Sequence, residues 1–215
     1  MILRVEQLNK ELFSAQFHIL RNGMEVGQMR VEGKLPSMEA KIWVSIFEKS
    51  YSLTYSGGLM KSAPLPNKEG KSFRPYRIDS DVQGTVGNVY QIEKKEGWFT
   101  IIDFFEMVYF GMKCNLYPIG LGKEGGKHPV YCGETQIAQV EKAGEIYNDL
   151  HHFDIYAIDQ QAAEIAVLFV AYMYINANFK PGEKATKSYV KYTSITTNKT
   201  LKSKYNPDFV KRIQP

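Results

Sequence analysis

The sequence predicts a single, mainly β domain with one long apolar helix near its C-terminal end. Three observations predict it: segments in which apolar and polar residues alternate, glycine-containing turns between those segments, and a stretch from Asp159 to Phe179 that is apolar on nearly every side. The 215 residues show no break in composition, which suits one domain of barrel or sandwich size. Hydrophobic residues make up 44% and charged residues 23%, as in ordinary globular proteins.

The first hairpin is predicted around Asn22-Gly23, because this dipeptide supplies the two positive-φ residues that a tight type I′ turn requires. Phe17 and Ile19 alternate with polar neighbours before the turn. Gly27 follows it, at a place where we expect a bulge or the close approach of another strand.

A second strand pair follows, since apolar residues alternate along two arms separated by a polar break. These residues are Ile42, Val44 and Ile46 on the first arm and Tyr51, Leu53 and Tyr55 on the second. The stretch from Lys61 to Ser72 has the Pro, Gly, Asn and Lys content of an exposed loop.

Strand-like alternation returns from Tyr76, through Val86, Val89 and Ile92 to the apolar run Trp98–Ile102, and again between 130 and 159. Three segments share a four-residue pattern of β-branched, small, polar and apolar residues: 26–29, 86–89 and 137–140. The pattern supports repeated hairpins in which another element passes close to the small residue. The unequal spacing of the three segments argues against a solenoid or propeller.

The helix is predicted from about 159 to 178, with Asp159 as its N-cap and with Asn178 and Pro181-Gly182 ending it. A helix that is apolar all round lies either inside a protein core or in a bilayer. The uninterrupted apolar run from Ile165 to Ile175 has eleven residues, whereas a membrane span needs ~20. We therefore expect a buried central helix and no transmembrane span; partial insertion into a membrane stays open as the alternative.

The order of hairpins, the motif FDIYAID and the apolar helix together resemble the tubby C-terminal-like superfamily, which includes the LURP-one-related proteins and the phospholipid scramblases. The residues that carry the resemblance are Phe153, Ile155, Asp159 and the stretch Ala162 to Ile175, aided by the hairpins at Asn22-Gly23 and Val86-Gly87. The resemblance covers most of residues 1–179. It implies a closed antiparallel β-barrel of repeated hairpins around the buried helix, an arrangement that leaves no exposed strand edge.

The C-terminal part of the chain is basic. From residue 180 to the end it has nine basic and two acidic residues, although the whole chain carries only +4. We assign residues 1–197 to the barrel domain, with the stretch from Ser188 to Thr196 as a candidate last strand, and residues 198–215 to a basic C-terminal extension. The basic end suits contact with an anionic surface, while a solvated charged segment is the alternative and nucleic acid is the less favoured partner.

The chain has no P-loop, Rossmann fingerprint, GxSxG elbow or HExxH motif, so we predict no catalytic residue, metal or cofactor. The glycine-rich loop 120–126, with Lys123 and Lys127, is either a phosphate cradle or a plain connector. His151-His152 point to opposite sides of a strand and do not chelate one metal together. Cys114 and Cys132 are expected to be reduced and packed inside.

The function that these observations favour is a non-enzymatic binding module that recognises an anionic lipid or another phosphate-bearing ligand. Its candidate anion-binding residues are Lys123, Lys127, Lys199, Lys202 and Lys204. The alternative is a structural or protein-interaction domain, and a hydrolase is the third and least favoured reading. The opening MILRVEQLNKELF lacks the apolar run of a signal peptide, so we expect a cytoplasmic protein, peripheral at a membrane if it binds lipid.

Overall fold

The computed structural model describes residues 1–33, 40–57, 62–64, 70–96, 100–183, 185, 187, 189–191 and 194–214. The strands are β1 (Ile2–Lys10), β2 (Ser14–Arg21), β3 (Met24–Gly33), β4 (Ala40–Ile46), β5 (Lys49–Tyr55), β6 (Ser62–Pro64), β7 (Gly70–Ser80), β8 (Gly84–Glu96), β9 (Thr100–Tyr109), β10 (Met112–Leu116), β11 (Ile119–Gly120), β12 (Gly126–Cys132), β13 (Thr135–Lys142), β14 (Glu145–Tyr147), β15 (His152–Ala157) and β16 (Tyr189–Lys191). The helices are α1 (Gln160–Ala177), α2 (Lys199–Ser203) and α3 (Pro207–Ile213).

Twelve of these strands form a closed antiparallel barrel. Their order around the ring is β10, β9, β8, β7, β5, β4, β3, β2, β1, β15, β13 and β12, and pairing of β12 with β10 closes it. Strands β6 and β11 pair with β7 and β12 beside the ring. The predicted barrel of hairpins is therefore confirmed, and closure satisfies the edge groups that an open sheet would expose.

The predicted alternation places every second side chain inside the barrel. In β4, Ile42, Val44 and Ile46 are all buried while the residues between them are exposed. The predicted turn is also present, since Asn22 and Gly23 have φ of 53° and 78°. A pair of positive φ values matches the right-handed twist of the two strands that the turn joins.

Three hairpins of the barrel are geometrically equivalent. In each, the second strand has a bulge at the first residue of the four-residue pattern, at Val26, Val86 and Ile137. The carbonyl of each bulged residue accepts a hydrogen bond from the amide of the residue directly after the next barrel strand (Phe47, Phe110 and Ile158), and the three N···O distances are 3.1, 2.9 and 3.0 Å. The shared pattern thus marks a repeated bulge, which the sequence suggested only as support for repeated hairpins.

Each of the three hairpins begins a repeat of four barrel strands, and the start of the chain completes the third repeat. The first repeat is β2 to β5 and the second is β7 to β10, each with a tight turn before its fourth strand. The third repeat consists of β12, β13 and β15, after which the chain enters α1 instead of a fourth strand. Strand β1 takes the vacant place: the Met1 ammonium donates to the Ala157 carbonyl at 2.7 Å, and the Ala157 amide donates to the Met1 carbonyl at 2.9 Å. Strand β1 was not predicted from the sequence, because Leu3 and Val5 alternate only briefly before the buried, polar Gln7.

Helix α1 occupies the interior, as predicted. Asp159 Oδ1 accepts from the Ala162 amide at 2.8 Å, Asn178 is the C-cap, and every residue from Ala162 to Tyr174 is buried. The ring of Tyr174 packs edge-on against Phe17 of β2, with the centroids 4.7 Å apart. Among the described residues, no helix has the length and apolar content needed to cross a membrane.

Two sequence-based expectations are corrected. Cys114 and Cys132 are not reduced but form a disulfide, because the register of β10 against β12 sets them directly opposite each other. The stretch 61–72 is not a plain loop, since β6 and the start of β7 lie within it and pair with one another.

Two further expectations concern the candidate last strand and the apolar run before β9. The candidate last strand contains β16, which pairs with β14 in a separate two-stranded sheet outside the barrel. Trp98, which opened the apolar run before β9, lies outside the described residues.

The basic C-terminal segment is folded against the outside of the barrel. Leu201 of α2 and Phe209 of α3 are buried. The Tyr131 hydroxyl donates to the Lys204 carbonyl at 2.8 Å, and Asn198 Nδ2 donates to the Glu96 carboxylate at 3.2 Å. These contacts hold the segment beside β8 and β12.

Candidate functional site: a pocket at the end of the barrel

A pocket of about 240 Å³, here called the end pocket, lies at the end of the barrel where α1 finishes. Most of its lining is apolar and comes from Phe105, Pro118, Ile119, Phe153, Met173 and Ala177. Met173 and Ala177 from the last turns of α1, with its C-cap Asn178, line one side of the pocket, and the loops around Gly120 and Ser194 line the other. Such a cavity excludes water from a ligand on several sides.

The glycine-rich loop forms one wall of the end pocket. A Cβ atom on Gly120 would lie 2.4 Å from the Ser194 carbonyl oxygen, so only glycine lets the chain segment around Ser194 pass this closely. Segment and loop are joined by hydrogen bonds from the Gly122 amide to the Ser194 carbonyl and from the Gly120 amide to Thr196 Oγ1, both at 2.9 Å. Ser194 and Thr196 also line the pocket.

The same loop does not have the geometry of a phosphate cradle. Such a cradle aims several backbone amides at the anion. Here the amides of Gly120 and Gly122 donate to the segment just described, and those of Leu121 and Gly125 donate within the loop at 2.9 and 3.1 Å. The loop therefore acts as a wall of the pocket.

Lys142 is the cationic residue of the end pocket. It ends β13, and its Nζ donates to Asn178 Oδ1 at 2.9 Å and lies 5.8 Å from the centre of the Phe153 ring. Burial lowers the pKa of Lys142 to about 8, so the ammonium form still predominates at pH 7. A positive charge next to the C-terminal end of α1 is also favoured by the helix dipole.

His128 of β12 is the second titratable residue of the pocket lining. Its Nδ1 accepts from the Ile119 amide at 3.3 Å. Burial, with the nearby charges of Lys142 and Lys127, lowers the pKa of His128 to about 3. The ring is therefore neutral at pH 7, and because Nδ1 is an acceptor, Nε2 carries the proton and is a hydrogen-bond donor.

The lysines chosen from the sequence lie around this region but not in the pocket. None of the five is among the described residues that line it. Lys127 forms an ion pair with Glu141, and Lys204 Nζ lies 5.4 Å from the centre of the Tyr117 ring. Lys123 is exposed in the glycine-rich loop, and Lys199 and Lys202 are exposed on α2.

Lys142 and His128 were not predicted as site residues, although the alternation of apolar residues in their strands indicates that both face inward. Lys142 is in phase with the buried Ala138 and Val140, and His128 is in phase with the buried Val130. Side chains two residues apart on a strand point to the same face, so both residues belong to the inward-facing set. A charged or titratable residue in an inward phase is the feature that points to this site.

A second buried polar cluster lies near the start of α1. Glu164 accepts from Lys49 Nζ at 2.9 and 3.0 Å and from the hydroxyls of Tyr51 and Tyr109 at 3.3 and 3.2 Å. The two tyrosine hydroxyls are also 2.8 Å apart. A buried carboxylate with this many partners anchors α1 to β5 and β9, and we interpret it as structural.

No group of His, Cys, Asp and Glu side chains within the described ranges is placed to hold a metal ion. The chain matches no family model, no curated protein and no solved structure. The functional proposal therefore depends on the residues that line the end pocket and on their charges.

Proposed function

We propose that this protein is a non-enzymatic binding module that takes an anionic amphiphile in the end pocket. The apolar part of the ligand lies against the Phe105, Phe153 and Met173 walls, and its anionic group lies near Lys142. The observation that carries the proposal is a half-buried cation in a pocket whose lining is mostly apolar. A carboxylate or phosphate ester on a hydrocarbon body has the matching chemistry.

The electrostatics of the pocket support this choice. A charge in a poorly hydrated environment interacts more strongly with an opposite charge than it does in water. An anion beside Lys142 stabilises the ammonium form, and the Nε2–H of neutral His128 adds a polar donor to the same lining. Both groups favour a negatively charged ligand over a neutral one of the same size.

The size of the pocket limits the ligand. Its volume of about 240 Å³ lies below the ~300–1,000 Å³ of pockets that enclose drug-sized molecules. We therefore expect the ligand to have a single hydrocarbon chain of medium length or to insert one end of a larger lipid.

Membership of the tubby C-terminal-like superfamily is part of the same proposal, since tubby binds phosphoinositides and scramblases are associated with membranes.

Binding rather than catalysis is the function that the lining supports. Its titratable groups among the described residues are Lys142 and His128, and Nδ1 of His128 already accepts a backbone hydrogen bond. A general base needs an acceptor atom directed at the substrate. The arrangement suits retention of a ligand.

Calorimetric titration with decanoate, decanol and inorganic phosphate tests the proposal. We expect decanoate to bind, decanol to bind at least about tenfold more weakly because it lacks the charge, and phosphate alone not to bind. Lys142→Met should lose decanoate binding, whereas Lys199→Met removes the same charge from an exposed site and should leave it unchanged. Thermal unfolding of both variants shows whether they are folded.

A second arm separates free amphiphile from membrane lipid. Co-sedimentation with neutral and anionic vesicles across a salt series measures attraction by the exposed lysines. Charge reversal of Lys123, Lys199 and Lys202 should abolish vesicle binding but leave decanoate binding intact. If neither decanoate nor vesicles bind, and the protein instead self-associates or retains a partner protein at high salt, the protein-interaction alternative replaces the proposal.

A further inference from the structure

The outer surface of the barrel has a second concavity, separate from the end pocket. It measures about 350 Å³ and lies across β2, β3, β4 and β5, with Leu8 of β1 at its edge. We call it the outer groove. The end pocket and the outer groove share no lining residue.

The strand register arranges the outward side chains of this groove in two neighbouring rows. The first row crosses the groove as Gln16, Arg30 and Trp43 and continues beyond it to Ser52, and the second crosses it as His18, Gln28, Ser45 and Ser50. Residues that are directly opposite on antiparallel strands project from the same face, and the two rows are two residues apart along each strand. All eight side chains therefore share one outward face.

The composition of this face selects a class of ligand. It combines amide, hydroxyl, imidazole and guanidinium groups with the indole of Trp43, which remains 36% exposed in the middle of β4. Arg30 forms an ion pair with Glu32, His18 lies 3.0 Å from Glu25, and Lys41 Nζ lies 5.0 Å from the centre of the Trp43 ring. The two cations Arg30 and Lys41 are matched by the two carboxylates, so the face has no excess of charge to attract a polyanion. Hydrogen-bonding groups around one aromatic ring suit a ligand that has hydroxyls on its edges and C–H groups on a face.

We infer that the outer groove is a saccharide-binding site in which a sugar ring stacks on Trp43 in place of the flexible Lys41 side chain, and its hydroxyls bond to the side chains of Gln28, Ser45 and neighbouring residues of the two rows. A pyranose ring has an apolar C–H face that packs on an indole and equatorial hydroxyls that both donate and accept. Glutamine and serine can do the same, which matches a hydroxyl better than a fixed charge does. The volume of about 350 Å³ accommodates one or two sugar residues.

The site is independent of the proposed lipid function, since it uses other residues on another face. Occupation of one site should therefore leave the other site unchanged. A failure of either proposal can be recognised without reference to the other.

A glycan array probed with the full chain identifies the ligand, and titration with the best-bound oligosaccharide measures its affinity. We expect binding of neutral glycans that resists high salt and is weakened at least about tenfold by Trp43→Ala, as expected for the loss of a stacked ring. Gln28→Ala should weaken binding less, and Ile101→Ala, an exposed apolar side chain outside the groove, should leave it unchanged. Decanoate should not displace the glycan.

Three results would overturn the inference. They are the absence of binding to any glycan at millimolar concentration, binding that Trp43→Ala does not alter, and binding that requires sulfated or uronic glycans and disappears with salt. Because Trp43 is on the surface, the variant is expected to fold, and its unfolding temperature confirms this before binding is measured.

Discussion

Gly27 and Gly87 occupy the same position in two hairpins of the barrel, directly after the bulged residue. A Cβ on Gly27 would lie 2.1 Å from the Ser45 carbonyl oxygen, and one on Gly87 would lie 1.8 Å from that of Val108. The obstacle in each case is backbone, which cannot rotate away as a side chain can. The third hairpin has Ala138 at this position, so the requirement for glycine belongs to the first two repeats.

We therefore predict that Gly27→Ala lowers the free energy of unfolding by about 2–3 kcal/mol, because β3 and β4 must separate to admit the methyl group. Urea denaturation of the variant and the parent protein measures the difference. Ala138→Gly serves as the matched control and should cost about 1 kcal/mol or less through backbone entropy. Equal stability of Gly27→Ala and the parent would show that the strands tolerate a Cβ here.

Two histidines are held neutral inside the structure. Burial lowers the pKa of both His128 and His151 from 6.5 to about 3. In the unfolded chain both rings bind a proton below about pH 6.5, whereas in the folded protein they do so only near pH 3. The unfolded state thus binds more protons between these values, and folding stability must fall as pH falls through this window.

We predict that His128→Asn flattens the loss of stability between pH 6 and pH 4. Each buried neutral histidine contributes a slope of up to about 1.4 kcal/mol per pH unit, and the variant removes one such contribution. Urea midpoints across this pH range give the slope. His152→Asn, which removes an exposed histidine, is the matched control variant. An unchanged slope in His128→Asn would mean that folding does not lower the pKa of His128.

At the scale of elements, α1 has no polar face. Its residues lie against β4, β9, β13 and β15, and its ends are defined by the polar caps Asp159 and Asn178. The helix starts at the surface, where Asp159, Gln160 and Gln161 are exposed, and the Asp159 carboxylate accepts from the Ala162 amide, one of the first-turn amides that have no partner within the helix. The cap also marks the point where the third repeat departs from the other two.

Asp159→Ala should destabilise the protein by about 1 kcal/mol, because it leaves the Ala162 amide without its side-chain acceptor. Thermal and urea unfolding measure this change. Asn198→Ala removes the corresponding cap of the five-residue surface helix α2 and should have a smaller global effect. Equal losses in both variants would show that the cap of α1 has no special importance for the barrel.

At the scale of the whole molecule, the barrel closes between β10 and β12, the two neighbouring strands that share the fewest residue pairs. Strands β10 and β12 share three residue pairs, and the Cys114–Cys132 disulfide spans one of them. The neighbouring junctions, β9 with β10 and β12 with β13, have five and seven pairs. The covalent bond therefore reinforces the place where the hydrogen-bonded ladder contributes least.

Reduction of the disulfide should lower the free energy of unfolding by about 3 kcal/mol, the magnitude expected for a loop with a sequence separation of 18 residues. Denaturation with and without dithiothreitol measures this difference. A Cys114→Ala/Cys132→Ala variant should be less stable and insensitive to the reductant. Alkylation of both thiols in the unreduced protein would show that the bond is not formed.

The local features of this protein were determined by the sequence alone. Alternation predicted the strands that begin at Ala40 and Gly84, Asn22-Gly23 predicted a type I′ turn, and Asp159 predicted the start of the helix. Each of these depends on residues within a few positions of one another, so the periodicity and the turn chemistry are sufficient.

The tertiary structure alone decided which distant segments meet. Strand β1 completes the third repeat, Cys114 faces Cys132, and Lys142 lies beside Asn178 at the end of the helix. The end pocket, with Lys142 and His128 rather than the exposed lysines, exists only because these segments come together. The physical reason is that register and ring closure depend on the summed packing of all strands around α1, an interaction that no short stretch of sequence contains.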